Sequence, residues 1–331
     1  MTLDLVPIWT LILGTSIFLY VLLDGFDLGV GMLFGLAPDT PTRNLMMNTI
    51  SPVWDGNETW LILGVLGLLS AFPLAFVIIL PAVYFPMVTM VLALAFRGVA
   101  FEFRYRDSER KSFWDHGFAI GSLIATFAQG VVLGAFIQGF EVEGRHFAGG
   151  SFDCLTPFSV LTGLALVAGY ILLGAGWLVL KTEGELQARA RRQGRCALVG
   201  VVAAIAAVSL WTPAEDPAIA HRWFDDIHLL LLSPVPIATA AAAWTVWRRL
   251  GSDSEAGPFL GTIAVFVLSY LGVAISMWPM IVPRHYTLWE AASSPSTQAF
   301  LLIGTLFQLP VILGYSAWSY WVFRGKVRSA K

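Results

Sequence analysis

The chain has 331 residues, of which 57% are hydrophobic and only 13% charged, with a mean hydropathy of +0.73. Soluble domains carry about 25% charged residues, so this composition excludes a water-soluble enzyme and indicates a polytopic membrane protein. The net charge of -2 says nothing about nucleic acid, but the chain has no basic tract of that kind, so no nucleic-acid partner is expected.

The N-terminal stretch MTLDLVPIWT has no positive n-region and no small-residue cleavage site. The first apolar segment is therefore expected to stay as a helix and not to leave as a signal peptide. A spanning helix needs roughly 20 mostly apolar residues. The apolar runs predict nine of them, at about 8–35, 51–71, 74–101, 115–140, 157–181, 195–212, 223–248, 258–282 and 297–323. Two joins are tight: Phe72-Pro73, and Thr212 to Arg222. Cytoplasmic loops are enriched in Lys and Arg. The N-terminus and the loops after helices 2, 4, 6 and 8 hold only Arg145, Arg222 and Arg284. The alternate loops and the C-terminal tail hold sixteen, among them Arg104, Arg106, Arg110, Lys111, Arg189, Arg191, Arg192, Arg195, Arg324, Lys326 and Arg328. The N-terminus is thus expected outside and the C-terminus inside. Tryptophans at 9, 211, 223 and 278 are expected at the outer interface, and those at 114, 244, 247 and 321 at the inner one.

Ionisable residues inside spanning helices are costly and seldom face lipid. In SPVWDGNETW (51–60), Asp55 and Glu58 stand one helical turn apart at the start of the second helix. At 1.5 Å per residue, Asp24 and Asp27 lie roughly 24–29 Å along the first helix, near its inner end. Arg97 and Glu102 lie near the inner end of the third. One depth therefore holds five acids and one guanidinium, and the reading is a single buried polar cluster near the cytoplasmic face. Five such carboxyls cannot all stay ionised, and protonatable carboxyls beside an arginine suit a proton relay. Arg104 and Arg106 are expected just outside it. A plainer reading makes these acids helix caps, or water-binding groups at the interface. Gln129 and Gln138 read as interhelical hydrogen bonds.

The histidines, at 116, 146, 221, 228 and 285, all fall near helix ends or in loops. No pair is placed as axial haem ligands, so the chain is expected to bind no haem by itself. Cys154 and Cys196 are assigned to opposite faces, too far apart for a disulfide. Neither makes a pair with histidine at metal-ligand spacing, and no metal site is expected. A weak internal repeat sets Tyr20-Val-Leu-Leu-Asp-Gly against Tyr170-Ile-Leu-Leu-Gly-Ala, offset by 150 residues. Four helices per unit would make it a parallel repeat about the membrane normal.

Five stretches carry a family resemblance: DGFDLGVGML (24–33), SPVWDGNETWL (51–61), LAFRGVAFEFR (94–104), YLGVAISMWPMIVP (270–283) and TLWEAASSP (287–295). Together they resemble subunit II of the cytochrome bd-type quinol oxidases, the CydB family, and the likeness covers almost the whole chain. Glu58 stands where some members have Gln, which points to the cyanide-insensitive branch. The resemblance implies an all-α membrane protein with nine transmembrane helices, two four-helix bundles and a peripheral ninth helix. The corresponding divisions are 1–150, with the acidic cluster, 151–296, and 297–331 with the tail. It implies a heterodimer with subunit I, which would hold two b haems and one d haem and oxidise quinol to reduce dioxygen to water in the bacterial cytoplasmic membrane. It allows for a structural quinone in this chain and a small single-helix accessory subunit. Asp27, Asp55, Glu102 and Arg106 match positions assigned to proton delivery or haem-site support. Trp60, with Trp54 nearby, matches an oxygen path or subunit interface. The family usually has Lys at position 106; arginine keeps its proton, which counts against a relay role there. Two alternatives stand beside this reading: a secondary transporter with a parallel pseudo-repeat, and an assembly subunit without a proton role.

Overall fold

The structure is a computed structural model that describes residues 4–107 and 109–327. Arg328, counted above in the basic tail, lies outside them. Fourteen helices form among the described residues: α1 (Val6–Phe34), α2 (Thr40–Ile50), α3 (Trp54–Ala71), α4 (Pro73–Ala82), α5 (Tyr84–Arg106), α6 (Lys111–Gln138), α7 (Pro157–Lys181), α8 (Gly184–Glu215), α9 (Pro217–Phe224), α10 (Asp226–Leu232), α11 (Pro234–Leu250), α12 (Ala256–Met277), α13 (Leu288–Ala291) and α14 (Pro295–Val322). The only strands among them form two antiparallel hairpins, β1 (Val142–Glu143) with β2 (His146–Phe147) and β3 (Met280–Val282) with β4 (Tyr286–Thr287).

Start signals explain many boundaries. Proline opens α4, α7, α9, α11 and α14, where its missing N–H costs nothing and its fixed φ suits the first turn. Asp39 caps α2 by accepting from the Thr42 amide at 2.8 Å, and that bond holds its carboxyl below the usual range. Thr156 and Ser159 form a reciprocal capping box on α7.

Among the described residues, eight helical segments are long and apolar enough to cross a membrane, so the chain is an all-helical, multi-pass membrane protein. The ninth predicted span, α3, falls short on hydropathy because it opens on the polar run WDGNET. Three expectations are corrected. The single helix predicted at 74–101 is broken at Val83, giving α4 and α5, since Pro81 removes a helical donor next to the break. The predicted helix 223–248 is divided among α9, α10 and α11, interrupted at Asp225 and Ser233. Trp9 is not an interface residue: it is buried, and its indole N–H donates to the Gln298 carbonyl at 3.2 Å. The cysteines are both free, Cys154 buried and Cys196 exposed.

Helix α1 sits at the centre, packed against α3, α6 and α7. It runs antiparallel to α3, since Leu13 faces Gly67, Ile17 faces Gly64, and the Leu23 carbonyl accepts from Asn57. Its crossing with α7 is backbone to backbone. A Cβ on Gly29 would lie 1.8 Å from the Tyr170 carbonyl oxygen, and one on Gly174 2.4 Å from the Gly29 carbonyl carbon. Small residues at helix crossings allow this approach in a membrane, where dispersion replaces the hydrophobic drive. The stacked pair Phe26–Trp177, with ring centroids 4.2 Å apart, fills the space beside the crossing. Gly29→Ala is expected to lower the thermal stability of the purified protein sharply, because backbone cannot yield as a side chain can; overpacking costs about 1–3 kcal/mol or more. Gly272→Ala, whose Cβ meets nothing within 4 Å, is the matched control and should leave the melting temperature unchanged.

Candidate functional site

Helix α1 carries Tyr20, Asp24 and Asp27 at spacings of four and three, so all three face one side. All are buried. Helix α3 turns Asn57 and Glu58 toward them, and α5 adds Arg97. The Arg97 guanidinium is fully buried and pairs with Glu58 Oε1 at 2.9 Å. It also lies over the rings of Trp54 (5.1 Å) and Phe118 (5.6 Å), contacts that favour a cation. Asn57 donates to Asp27 Oδ2 at 2.6 Å and accepts from the Tyr320 hydroxyl of α14 at 2.8 Å. Asp27 Oδ1 and both oxygens of Asp24 receive no hydrogen bond of standard geometry among the described residues. Arg97, the Tyr20 hydroxyl and Glu58 are electrostatic neighbours of Asp24, and Arg97, Asp24 and Glu58 are those of Asp27. The interior therefore sets the carboxyls of Asp24, Asp27 and Glu58 against the guanidinium of Arg97.

This is a smaller cluster than the sequence led us to expect. Asp55, Glu102 and Arg106 are exposed on the surface of the chain. Helical periodicity is the reason. The buried stripe of α3 is Asn57, Trp60, Gly64 and Ala71, and Asp55, two residues before Asn57, falls about 200° from it. In α5 the stripe runs through Met90, Ala93, Leu94, Arg97, Ala100, Phe101 and Arg104; Glu102 and Arg106 stand about 140° and 180° from Arg97. Asp55 still acts on Glu58 through its charge. Trp54 is half-buried and packs on Phe101, with centroids 5.0 Å apart. Trp60 is wholly enclosed by this chain, so it offers no surface to a partner. Arg104, expected outside, is buried and paired through Nε to Asp115, with Arg43 on the other Asp115 oxygen at 2.8 Å and Asn44 accepting from Arg104 at 2.7 Å.

Known proteins resolve what this arrangement belongs to. Residues 5–323 match the family described as cytochrome bd terminal oxidase subunit II. The chain belongs to this family. It is 30% identical over 359 residues to the cytochrome bd-I ubiquinol oxidase subunit 2 of Escherichia coli K12, covering 97% of this chain and 94% of that protein. It is 30% identical over 330 residues to the cytochrome bd ubiquinol oxidase subunit 2 of Bacillus subtilis, covering 97% and 96%. The fold is similar to that of a bd oxidase chain from Geobacillus thermodenitrificans, with a TM-score of 0.79 at 16% identity, over 97% of this chain and 99% of that one. Family membership removes the secondary-transporter reading.

In this subunit II the two tyrosines of the weak repeat meet at one amide. Gln129 of α6 donates to the Tyr20 hydroxyl at 2.6 Å, and the Tyr170 hydroxyl donates to Gln129 Oε1 at 2.8 Å. Gln138 likewise bridges helices, accepting from the Thr156 hydroxyl. Sequence reasoning missed Tyr320 and Asn57 as members of the cluster. Asn57 lies inside the WDGNETW motif, one residue from Glu58, and periodicity alone could have found it. No cluster of three or more His, Cys, Asp or Glu placed to hold a metal ion occurs among the described residues.

Arg97→Leu is expected to cost about 3–5 kcal/mol, the usual penalty for removing one partner of a buried ion network. The loss should appear as a lower yield of purified oxidase complex and less haem per complex. Glu58→Gln should cost less, because the Glu58 side chain keeps 28% of its exposure and the amide still accepts from Arg97. Equal yields for the two variants would contradict this account.

Proposed function

We propose that this chain is the haem-free subunit II of its oxidase, and that its buried carboxyls hold and pass protons from the basic end of the bundle toward a haem-bearing subunit I. The chain is a subunit of a cytochrome bd-type terminal quinol oxidase, a quinol:oxygen oxidoreductase. Reducing dioxygen to water consumes protons, so the membrane-embedded reaction site needs a polar supply route. The observation that carries the proposal is the carboxyl-to-guanidinium imbalance of Asp24, Asp27 and Glu58 around Arg97. Three carboxylates and one guanidinium, poorly solvated, would leave two uncompensated negative charges, which a low-dielectric interior opposes. A site in which the carboxyls share protons relieves this, and a shared proton is one that can move on.

The exposed Asp55 and Glu102 fit the same scheme as surface members, meeting the partner subunit or the aqueous phase, with Asp55 one turn from Glu58. Arg106 serves there as a fixed positive charge. Trp54 covers Arg97 from the partner side, and Trp60 acts as interior packing beside an oxygen path. The basic end is assigned to the cytoplasm by its arginines and lysines, which places the N-terminus in the periplasm and the C-terminus in the cytoplasm. Counting α3, and joining α4 with α5 and α10 with α11, gives nine transmembrane helices. The divisions 1–150, 151–296 and 297–331 then make two four-helix bundles and a peripheral helix. The expected partners are subunit I with two b haems and one d haem, quinol, dioxygen and membrane lipid, with a small accessory helix and a structural quinone as further members.

Two measurements test this. Asp27→Asn keeps the shape of the side chain and cannot carry a proton. It is expected to slow oxygen consumption several-fold when normalised to haem, with haem content unchanged, and to alter the pH profile of turnover. Full turnover per haem would leave the cluster with only a scaffolding role. Expressed without subunit I, the chain is expected to purify in low yield and without visible haem absorbance; a stable, haem-loaded single chain would refute the haem-free assignment.

A further inference from the structure

A cavity of about 240 Å³ opens at the basic end of the bundle, between α2, α7 and α14. Asn48, Phe323 and Gly325 form its exposed rim, while Thr49, Val53, Trp177 and Lys181 line its buried part. Tyr320 also lines it, and the Tyr320 hydroxyl is the group that holds Asn57 against Asp27. The cavity is thus separated from Asp27 by one tyrosine and one amide. Its outer wall is the tail after α14, which is fastened in place. The Lys181 ammonium donates to the Phe323 carbonyl at 2.5 Å and the Gly325 carbonyl at 3.4 Å, and the Val327 amide donates to the Lys181 carbonyl at 2.9 Å. Lys326 pairs with Glu255 at 2.5 Å and donates to the Thr182 carbonyl at 3.1 Å.

We propose that this cavity is an aqueous entry to the acid cluster, admitting protons to Asp27 from the basic end without passage through Asp55 or Glu102. The inference rests on the proton-delivery reading and adds the route. The space is large enough for several water molecules, since one needs only about 10–15 Å³ of such volume and two to four polar partners; Tyr320, Thr49, Asn48 and the Trp177 indole N–H, which has no hydrogen-bond partner among the described residues, offer these. Asn57 does not carry the proton. It fills Asp27 Oδ2 and leaves Oδ1, which has no hydrogen bond among the described residues, as the acceptor. The step requires Tyr320 and Asn57, which stand between the cavity and Asp27, to part and admit cavity water: an O–H bond of a hydronium then breaks, an O–H bond forms at Asp27 Oδ1, and water remains behind. Tyr320 is a positioning residue: by donating to Asn57 Oδ1 it orients the amide so that the NH₂ group faces Asp27.

The test uses the whole oxidase complex carrying Cys196→Ser, since Cys196 is the exposed thiol and Cys154 is buried. Asn48→Cys in that background places a thiol on the rim, and benzyl methanethiosulfonate is added after purification. Labelling is expected to slow turnover per haem several-fold relative to the same complex before labelling, with a larger solvent deuterium isotope effect. It should add nothing in a complex that also carries Asp27→Asn. Unchanged turnover on labelling, with Asp27→Asn slow, overturns the route and spares the proton role of Asp27. Full turnover in Asp27→Asn overturns both, and a further slowing of Asp27→Asn by the label shows that the cavity feeds something else. Should Asp27→Asn fail to assemble, Tyr320→Phe replaces it. That variant keeps the ring, loses the hydroxyl that orients Asn57, and is expected to shift the pH profile of turnover; an unshifted profile overturns the proposal.

Discussion

A guanidinium with no access to solvent must find its counter-charge inside the protein, and much of this structure is arranged to supply it. Arg97 cannot shed its proton, so its charge is permanent wherever the helix puts it. Glu58 gives it a direct partner at 2.9 Å, and Trp54 and Phe118 give it aromatic faces. Asp24 and Asp27 lie within range of its field. Because these groups come from α1, α3, α5 and α6, the pairing only exists when four helices have packed. The cation therefore both requires the fold and specifies it.

Bringing the helices this close depends on what is missing from their surfaces. Gly29 and Gly174 let α1 and α7 touch along the backbone, which sets the rotation of α1 and hence the direction in which Asp24 and Asp27 point. Gly121 does the same for α6 against α5, where a Cβ would lie 3.0 Å from the Ala93 carbonyl oxygen and 3.1 Å from the Arg97 Cβ. Polar bonds then hold the rotation. The Gln129 amide spans Tyr20 and Tyr170, tying α1 and α7 through α6 one turn away from Asp24. In hydrocarbon such bonds are worth about 1 kcal/mol each, and their larger contribution here is to orientation.

The basic end solves a second electrostatic problem in a different way. Arg104 and Arg43 share Asp115, and Asn44 accepts from Arg104, so α2, α5 and α6 are joined by a compact ion network of two guanidiniums around one carboxylate. At the same end, Lys181 has no acidic partner among the described residues and is instead solvated by the carbonyls of the tail. One network fixes helix ends with charge pairs; the other uses backbone dipoles to hold a wall beside an opening.

Most of the architecture was legible in the residues alone, because lipid imposes one rule. Backbone polar groups must be satisfied within each segment, so apolar runs of sufficient length become helices wherever they occur, and α7 appears at the predicted residues, 157–181. The identity of the polar cluster was partly legible. Asp24, Asp27, Glu58 and Arg97 converge as their depths along the helices required, since rise per residue is a local quantity. Which acids turn inward was not decided by depth. Asp55 and Glu102 share that depth and still face out, because rotation about each helix axis is set by contacts with other helices: Gly29 against Tyr170, Gly64 against Ile17, Gly121 against Arg97. Tyr320 bonds to Asn57, the residue that donates to Asp27, across 263 positions of sequence, and the cavity beside it is made of α2, α7 and the tail. No local pattern encodes such a meeting, because it exists only where separately determined helices pack together.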